Sequence, residues 1–399
     1  MGMIINIDQA LKERSHYNVL KEPLHEMMKA EQEAWEKQNP IDLLFVRGTI
    51  SSFRETYTSS IGFAHAFTET SDFNIGPIFN QAEGFTATYT TKTFQGSFII
   101  TQQTLEDGQY GRVKDEASAF GKRWRADVVE YAMKAIEGGF GKDAVWSAGD
   151  GKKSTIRLNS ADTTDGKIST PTKNPLFTCK HTMVDREDGS YDATKKLTNL
   201  YYLDIDINGD AYNKVSTIAA AINEVITGME NLLDDNGKIT GVTGSKDIVT
   251  ANNAHLNAII NTALSMDMFK YGDSDILNVA KNRGTHKSTP YLNSICDGKC
   301  IFIVDKAYNS ANHGLEFTER IPFTLDATEL KRPNGIAYDG RQRFDVNTAT
   351  WRGIACIYLG NPTTSLPTWA ASADMFQELT VSDTIATPVR VVNAPEIGA

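Results

Sequence analysis

The clearest hydrophobic pattern in the chain is a series of apolar positions, three and four residues apart, between residues 112 and 137. At about 3.6 residues per turn, this spacing puts all of them on one face of a helix roughly 40 Å long. Gly138 and Gly139 follow and are expected to end the helix. The apolar positions of the predicted face are Val113, Ala117, Phe120, Trp124, Val128, Tyr131 and Ala135.

A second pattern, with a period of two, covers residues 85–94, where threonines alternate with aromatic and small side chains. Residues 97–101 follow Gly96 and are mostly apolar. Two alternating runs separated by a glycine predict a strand–turn–strand ribbon. Because a two-stranded ribbon is only marginally stable in water, we expect the same chain or another copy to cover it.

The rest of the chain mixes helical and strand patterns. Apolar spacing predicts helices over residues 211–233 and 252–266. Continuous apolar runs predict buried strands over residues 247–250 and 299–304, and residues 350–360 predict a late central strand. Helices interspersed with apolar strands indicate an α+β fold.

Composition and charge exclude several classes of protein. The 399 residues are 40% hydrophobic and 23% charged, which is typical of a globular chain. The net charge of -10 argues against a basic nucleic-acid binder. Apolar runs such as residues 218–222 are far shorter than the roughly 18 residues of a membrane helix, and charges interrupt the start where a signal peptide would lie. Four cysteines are too few for a disulfide scaffold, so we expect a soluble, cytosol-made protein.

Enzyme motifs are absent from the sequence. It contains neither a phosphate-binding P-loop nor a nucleophile elbow, and His25-Glu26 lacks the second histidine of a zinc protease motif. Residues 139–144 imitate a dinucleotide fingerprint, but they follow a helix where the fingerprint needs a strand. We therefore predict no catalytic residues and no cofactor.

Two segments are weak candidates for metal binding. Residues 204–210 match the first half of a calcium loop, but Val215 occupies the position that needs a glutamate, which favours a polar turn. Cys296, Cys300 and the Cys179-Lys180-His181 segment lack the paired spacing of a zinc site, which favours buried thiols. We predict no bound metal.

The order of these elements resembles the major capsid (head) protein family of tailed bacteriophages, which has the Hong Kong 97-type fold. Four pieces carry the resemblance over roughly residues 60–360. They are residues 98–101 with 105–107, the helix end at 135–139, the strand and helix at 247–250 and 254–263, and the strands at 341–345 and 351–358. The resemblance implies a mechanical function, in which many identical chains close into an icosahedral shell around packaged double-stranded DNA.

The resemblance also implies a division of the chain. Its predicted parts are an N-terminal arm (1–60), an extended loop (61–110), a peripheral domain with the spine helix (111–210), an axial domain (211–330), and a return to the peripheral domain with a C-terminal tail (331–399). It implies pentamers and hexamers in a virion, assembled in the host bacterial cytoplasm. Separate scaffold, portal and decoration proteins are expected partners, DNA would be held non-specifically, and no membrane is involved.

Specific residues follow from this resemblance. The extended loop would contact a neighbouring subunit through Phe79, Phe85, Tyr89, Lys92 and Phe94. The spine helix would present Val113, Phe120, Trp124 and Val128 on its apolar face. Two alternatives remain at this point: an enzyme of unknown chemistry whose one clue is the calcium-like loop, and another self-assembling phage component such as a tail or sheath subunit.

Overall fold

A computed structural model describes residues 39–62, 82–101, 103–104, 107, 110–149, 151–159, 174–184, 191–207, 215–234, 239–271, 274–331 and 334–379. The architecture is built on two larger sheets and several two-stranded ones, together with helices. The predicted α+β class is therefore confirmed. Within the described residues, no helix combines the length and apolarity that crossing a membrane requires.

The first sheet has four strands and is dominated by one long hairpin. Strands β1 (Val46–Thr49), β4 (Lys92–Thr101), β15 (Leu315–Lys331) and β16 (Asn334–Thr348) lie in the order β1-β15-β16-β4. Strand β15 has 17 residues and pairs with β16 along nearly its whole length, so the hairpin is roughly 50 Å long. Register shifts between Glu319 and Thr324, around Pro322, interrupt the regular pairing.

The long helix α2 (Tyr110–Glu137) packs across this sheet, close to its predicted bounds. Its aromatic side chains contact the sheet: Phe120 lies 5.0 Å from Phe98, and Trp124 lies 5.0 Å from Phe323, between ring centroids. From Val129 onward the helix enters the protein interior and buries side chains on several faces. The amphipathic pattern therefore describes the first half of the helix better than the second.

The second sheet has six strands and is covered on both faces. Its order is β13 (Gly284–Thr289), β10 (Lys246–Ala251), β14 (Cys300–Asp305), β17 (Ile354–Leu359), β9 (Leu200–Leu203) and β18 (Gln377–Glu378). Every residue of β14 and β17 is buried, which explains why both strands are continuous apolar runs in the sequence.

Two helices cover one face of the six-stranded sheet, and the end of α2 lies on the other side. Helices α3 (Val215–Glu230) and α4 (Ala254–Ser265) pack their isoleucines and leucines against Ile248, Ile301 and Ile357. Helix α4 starts where the Asn253 side chain accepts hydrogen bonds from two backbone amides of its first turn. The opposite face contributes Phe302 and Tyr358 to the core that contains α2.

The remaining elements are short. They are α1 (Ile41–Leu44), α5 (Lys306–Ala311) and the antiparallel pairs β2 (Arg54–Gly62) with β3 (Ala82–Thr90), β5 (Ala144–Ser147) with β6 (Lys153–Ile156), β7 (His181–Val184) with β8 (Tyr191–Leu197), and β11 (Met268–Tyr271) with β12 (Ser274–Leu277).

The predicted ribbon over residues 85–101 is wrong. Strand β3 pairs with β2, and β4, which follows β3 after the single residue Thr91, pairs instead with β16. Gly96 does not form a turn but lies in the middle of β4, directly opposite Gly340. A Cβ at Gly96 would lie 3.2 Å from the Trp124 ring, and one at Gly340 would lie 3.2 Å from the Phe120 ring. The glycine pair therefore makes room for the aromatic side chains of α2.

The strand pairing also cuts across the predicted division of the chain. Residues 41–49, placed in the arm, form α1 and the edge strand β1, and Ile41, Leu44 and Phe45 belong to the main core. Residues 315–330, placed in the axial domain, pair with β16 in the four-stranded sheet. Local pattern did not reveal these assignments because each depends on a partner distant in sequence.

Candidate assembly surfaces

The β2–β3 hairpin is attached to the body at the end formed by Arg54 and Thr90. Its strands pair from Arg54 opposite Thr90 to Gly62 opposite Ala82, in a two-stranded sheet of their own. We call the end formed by Arg54 and Thr90 the root of the hairpin; it lies next to β16. This hairpin, and not the ribbon predicted from the sequence, is the antiparallel pair that β3 forms.

Hydrogen bonds fix the root of the hairpin to the body. The Tyr89 hydroxyl donates to the backbone oxygen of His313 at 2.8 Å, and the Tyr89 side chain is fully buried. The Asn347 side chain bonds both backbone groups of Thr90, accepting from its N–H at 3.4 Å and donating to its oxygen at 3.2 Å. The Tyr57 ring stacks on the His313 ring, with centroids 4.1 Å apart.

A buried carboxylate lies beneath this root. Glu316 is buried, and its Oε1 lies 3.2 Å from Nδ1 of His313. Burial raises the pKa of Glu316, while the neighbouring His313 acts in the opposite direction. Burial also raises the pKa of Tyr57 to about 12, so both tyrosines of the root stay neutral and can donate their hydroxyl protons. The root is thus a polar but closely packed anchor.

The predicted loop contacts lie mostly inside the chain, which corrects their assignment. Tyr89 is buried at the hairpin root, and Phe94 stacks on Phe344 in the core, with centroids 4.5 Å apart. These two side chains are therefore occupied by their own chain and do not reach a neighbour. Phe79 lies outside the described residues; Phe85 lies in β3, but its side chain is outside the description.

Lys92 is also held by its own chain. Its Nζ donates to the Tyr131 hydroxyl at 2.9 Å and to the Thr155 backbone oxygen at 3.3 Å, and lies 3.7 Å from the Asp345 carboxylate. Tyr131 in turn donates to Asp345 at 2.8 Å. Burial raises the pKa of Asp345, and Lys92 opposes that rise. The side chain predicted to face a neighbour instead balances a buried carboxylate.

The spine-helix residues pack on the four-stranded sheet of the same chain. Val113 is buried, and Phe120 and Val128 are partly buried against the core clusters. The Trp124 Nε1–H donates to Oε1 of Gln342 on β16 at 2.7 Å. These side chains fix the helix on the sheet. The charged side of the helix faces solvent, where Arg123 pairs with Asp127 at 2.8 Å.

An exposed apolar surface that the sequence analysis missed lies on the β11–β12 pair. We call it the ribbon face. Met268 and Leu277 are directly opposite each other, and the Asn278 N–H bonds the Asp267 oxygen at 2.9 Å, which extends the pairing by one step. The signal available in the sequence was the alternation of apolar residues on both arms. The ribbon face consists of Met266, Met268, Leu277 and Val279, all of them exposed.

The two weak metal candidates gain no support from geometry. Asp204 accepts a hydrogen bond from the Asn361 side chain at 2.9 Å, and Ile205 and Ile207 beside it are buried; residues 208–210 of the calcium-like loop lie outside the described residues. Cys296, Cys300 and Cys356 are buried together, whereas Cys179 is partly exposed elsewhere. Among the described residues, no three histidine, cysteine or acidic side chains converge as metal ligands.

Comparison with solved structures finds likenesses among viral particles. A virus-like particle from Pyrococcus furiosus shares 10% identity at a TM-score of 0.42, over 84% of this chain and 98% of that chain. The mature capsid of bacteriophage PhiM1 shares 11% identity at a TM-score of 0.43, over 81% of this chain and 86% of that chain. The structure of Mycobacterium phage Patience shares 10% identity at a TM-score of 0.44, over 90% of this chain and 93% of that chain. No protein-family model and no curated protein sequence matches the chain.

Proposed function

We propose that this protein is the major capsid protein of a tailed bacteriophage, which assembles with itself into the icosahedral head shell. The observation that carries the proposal is the β2–β3 hairpin, anchored to the body at its root and paired otherwise only within itself in the described part of the chain. A two-stranded hairpin is marginal in water, so its stability calls for a further surface, which a neighbouring subunit would supply.

The body of the protein supports the same proposal. A 28-residue helix lies across a sheet whose central hairpin is roughly 50 Å long, next to a sheet with both faces covered. Most large apolar side chains are buried within the chain itself, which gives a rigid plate that keeps its shape when copies meet. A body that carries a hairpin paired only within itself among the described strands suits repeated contacts between identical copies.

The partners follow from this role. Copies of the chain would meet as pentamers and hexamers in the virion, after assembly in the host cytoplasm with separate scaffold, portal and decoration proteins. A chain of net charge -10 would hold packaged DNA by confinement and by a few local basic contacts, without base readout. A shell protein catalyses no reaction under this proposal, so we expect no catalytic residues and no cofactor site.

A deletion that spares the body tests the proposal. Thr58 and Thr86 are opposite each other in the hairpin, so residues 59–85 can be replaced by a two-residue Asn-Gly turn that keeps the root intact. We expect a folded variant, with wild-type circular dichroism, that stays monomeric where the wild-type chain forms capsomers or closed shells by electron microscopy. Tubes from the wild-type chain would favour a tail or sheath subunit, and a wild-type chain that stays monomeric would overturn the proposal.

A further inference from the structure

The ribbon face is unusual because its exposed apolar side chains are adjacent. Met266, Met268, Leu277 and Val279 are 41%, 51%, 68% and 51% exposed. Met268 is directly opposite Leu277, the Asn278 N–H bonds the Asp267 oxygen one step further, and Met266 and Val279 are the next residues along the two arms. Alternate residues of an extended segment point to the same side, so Met266 and Val279 are expected beside the exposed Met268–Leu277 pair.

The other side of the ribbon explains why this side is left bare. Phe269 packs against the cluster of Ala219, Ala263 and Ala280 that joins α3 to α4. The buried Asn278 amide donates to the Ala263 oxygen at 2.6 Å and to the Met266 oxygen at 2.8 Å. The ribbon is thus fixed to the helices by one face, and the exposed apolar side chains lie on the solvent side. Single exposed apolar residues are ordinary, but an adjacent set on a fixed surface marks an interaction site.

We infer that the ribbon face packs against the ribbon face of a second copy of this chain; the inference rests on the proposed function. An apolar surface needs an apolar partner. The other exposed large apolar side chains of the described residues lie on separate elements: Phe53, Ile99, Val145, Ile239 and Leu366. Among the described residues, the exposed apolar side chains that lie next to one another are therefore those of the ribbon face. A second copy presents the same group, so the two ribbon faces can cover each other.

Charge favours the same partner. The chain carries a net charge of -10, so copies repel each other over most orientations. Beside the ribbon face, Asp267 forms an ion pair with Lys281, so this acidic side chain has its own counter-charge. Two copies that meet here therefore do not bring their Asp267 carboxylates together unpaired.

The size of the surface indicates that the contact acts together with others. Four side chains are much smaller than the roughly 800 Å² per partner of a stable binary interface. The contact alone would be weak, but copies already linked through another surface, such as the hairpin, would form it at high effective concentration. Two of the four residues are methionines, whose flexible side chains can repack where copies meet at slightly different angles.

A charge placed on the ribbon face tests the inference. Leu277→Asp is expected to raise the protein concentration at which assembly begins at least tenfold, without changing circular dichroism or the melting temperature. The matched control is Leu366→Asp, an exposed leucine on another segment, which is expected to assemble like the wild type. A Leu277→Asp chain that assembles like the wild type would overturn this inference and leave the proposed function standing, whereas a wild-type chain that never assembles would overturn both.

Cross-linking identifies the partner directly. In a Cys179→Ser background the remaining thiols, Cys296, Cys300 and Cys356, are buried. Mild oxidation of assembled Leu277→Cys protein is expected to give disulfide-linked dimers on a non-reducing gel, because the ribbon faces of two copies bring the new thiols together. Leu366→Cys should remain uncross-linked. Assembled Leu277→Cys protein that gives no dimers, or no more than Leu366→Cys, would show that the ribbon face does not meet its own copy.

Discussion

The imidazole of His181 lies flat against the indole of Trp351, with ring centroids 3.9 Å apart and planes 1° from parallel. His181 is buried, and its Nε2 lies 3.2 Å from both the Leu176 backbone oxygen and the Asn199 side-chain oxygen. Both neighbours are acceptors, so Nε2 carries the proton. Burial lowers the pKa of His181 to about 3, because a charged ring would lose its hydration there.

This histidine predicts that acid destabilises the protein over a defined range. Above the unfolded-state pKa of about 6.5, His181 is neutral in both states and adds no pH dependence. Between pH 6.5 and about 3, the unfolded chain takes up a proton that the folded chain refuses. The free energy of unfolding should therefore fall by up to about 1.4 kcal/mol per pH unit, or about 2–3 kcal/mol by pH 4.5.

Urea unfolding between pH 7 and pH 4.5 measures this effect. His181→Asn should be less stable at pH 7, yet lose less stability on acidification than the wild type. The exposed His255→Asn variant is the control and should keep the wild-type pH dependence. Equal acid dependence in the wild type and His181→Asn would contradict the prediction.

A buried ion pair joins two strands of the six-stranded sheet. Lys246 on β10 is directly opposite Asp305 on β14, and Nζ lies 2.7 Å from the carboxylate. The ammonium also donates to the backbone oxygens of Val242 and Gly244, both at 2.8 Å. Lys246→Met leaves the carboxylate buried and unpaired, so we expect a loss of about 3–5 kcal/mol in urea unfolding.

Two further variants separate pairing from packing. Lys246→Met with Asp305→Asn removes both charges and should recover much of the loss, because the asparagine can still accept the Tyr308 N–H bond. Lys287→Met removes one of two lysines that bind the Asp247 carboxylate at the surface, and should cost less than about 1 kcal/mol. Equal losses from Lys246→Met and Lys287→Met would refute the buried-charge explanation.

The hairpin root offers a matched pair of tyrosines. Tyr89→Phe removes the hydroxyl that donates to the His313 oxygen and links the hairpin to the body. Tyr57→Phe removes a hydroxyl that donates to Glu55 of the same strand at 2.9 Å. A net loss of about 1 kcal/mol should speed hydrogen exchange at the root of β2 and β3 roughly fivefold in Tyr89→Phe. Exchange that is equally fast in Tyr57→Phe would show that the Tyr89 bond is not the anchor.

Two glycines of the α2 region predict opposite effects on stability. A Cβ at Gly138, just after the helix, would lie 2.5 Å from the Ile156 backbone oxygen, so Gly138→Ala must displace β6 at a cost of about 1–3 kcal/mol. A Cβ at Gly111, in the first turn, would meet nothing within 4 Å. Gly111→Ala should therefore be neutral or stabilising by up to about 1 kcal/mol. In thermal unfolding, the midpoint temperature of Gly138→Ala should be lower than that of the wild type, and the midpoint temperature of Gly111→Ala should not.

The elements that sequence predicted well are those whose signal is local. Helix α2 follows from apolar spacing, and β14 and β17 follow from continuous apolar runs, because each pattern is set by burial along one segment. The spacing did not show that Val129 and its successors enter the interior, since that depends on the six-stranded sheet packed beside them.

Strand partners and surface exposure could not be read in the same way. A glycine is typical of a turn, and Gly96 was predicted to form one. It lies in a strand instead, where the ring of Trp124, nearly thirty positions later, packs over it. The ribbon face has ordinary alternation, and which of its sides faces solvent is decided by the alanines of α3 and α4. In both cases the deciding residue is distant in sequence.

The pairing of β1 with β15 places a limit on when the protein can finish folding. Residues 46–49 lie beside residues 316–319, so the first strand of this sheet waits until most of the polypeptide has been made. At roughly 5–20 residues per second, that wait is tens of seconds during translation. A chain still attached to the ribosome therefore has no finished plate to offer a neighbour, and the topology itself delays association until synthesis is nearly complete.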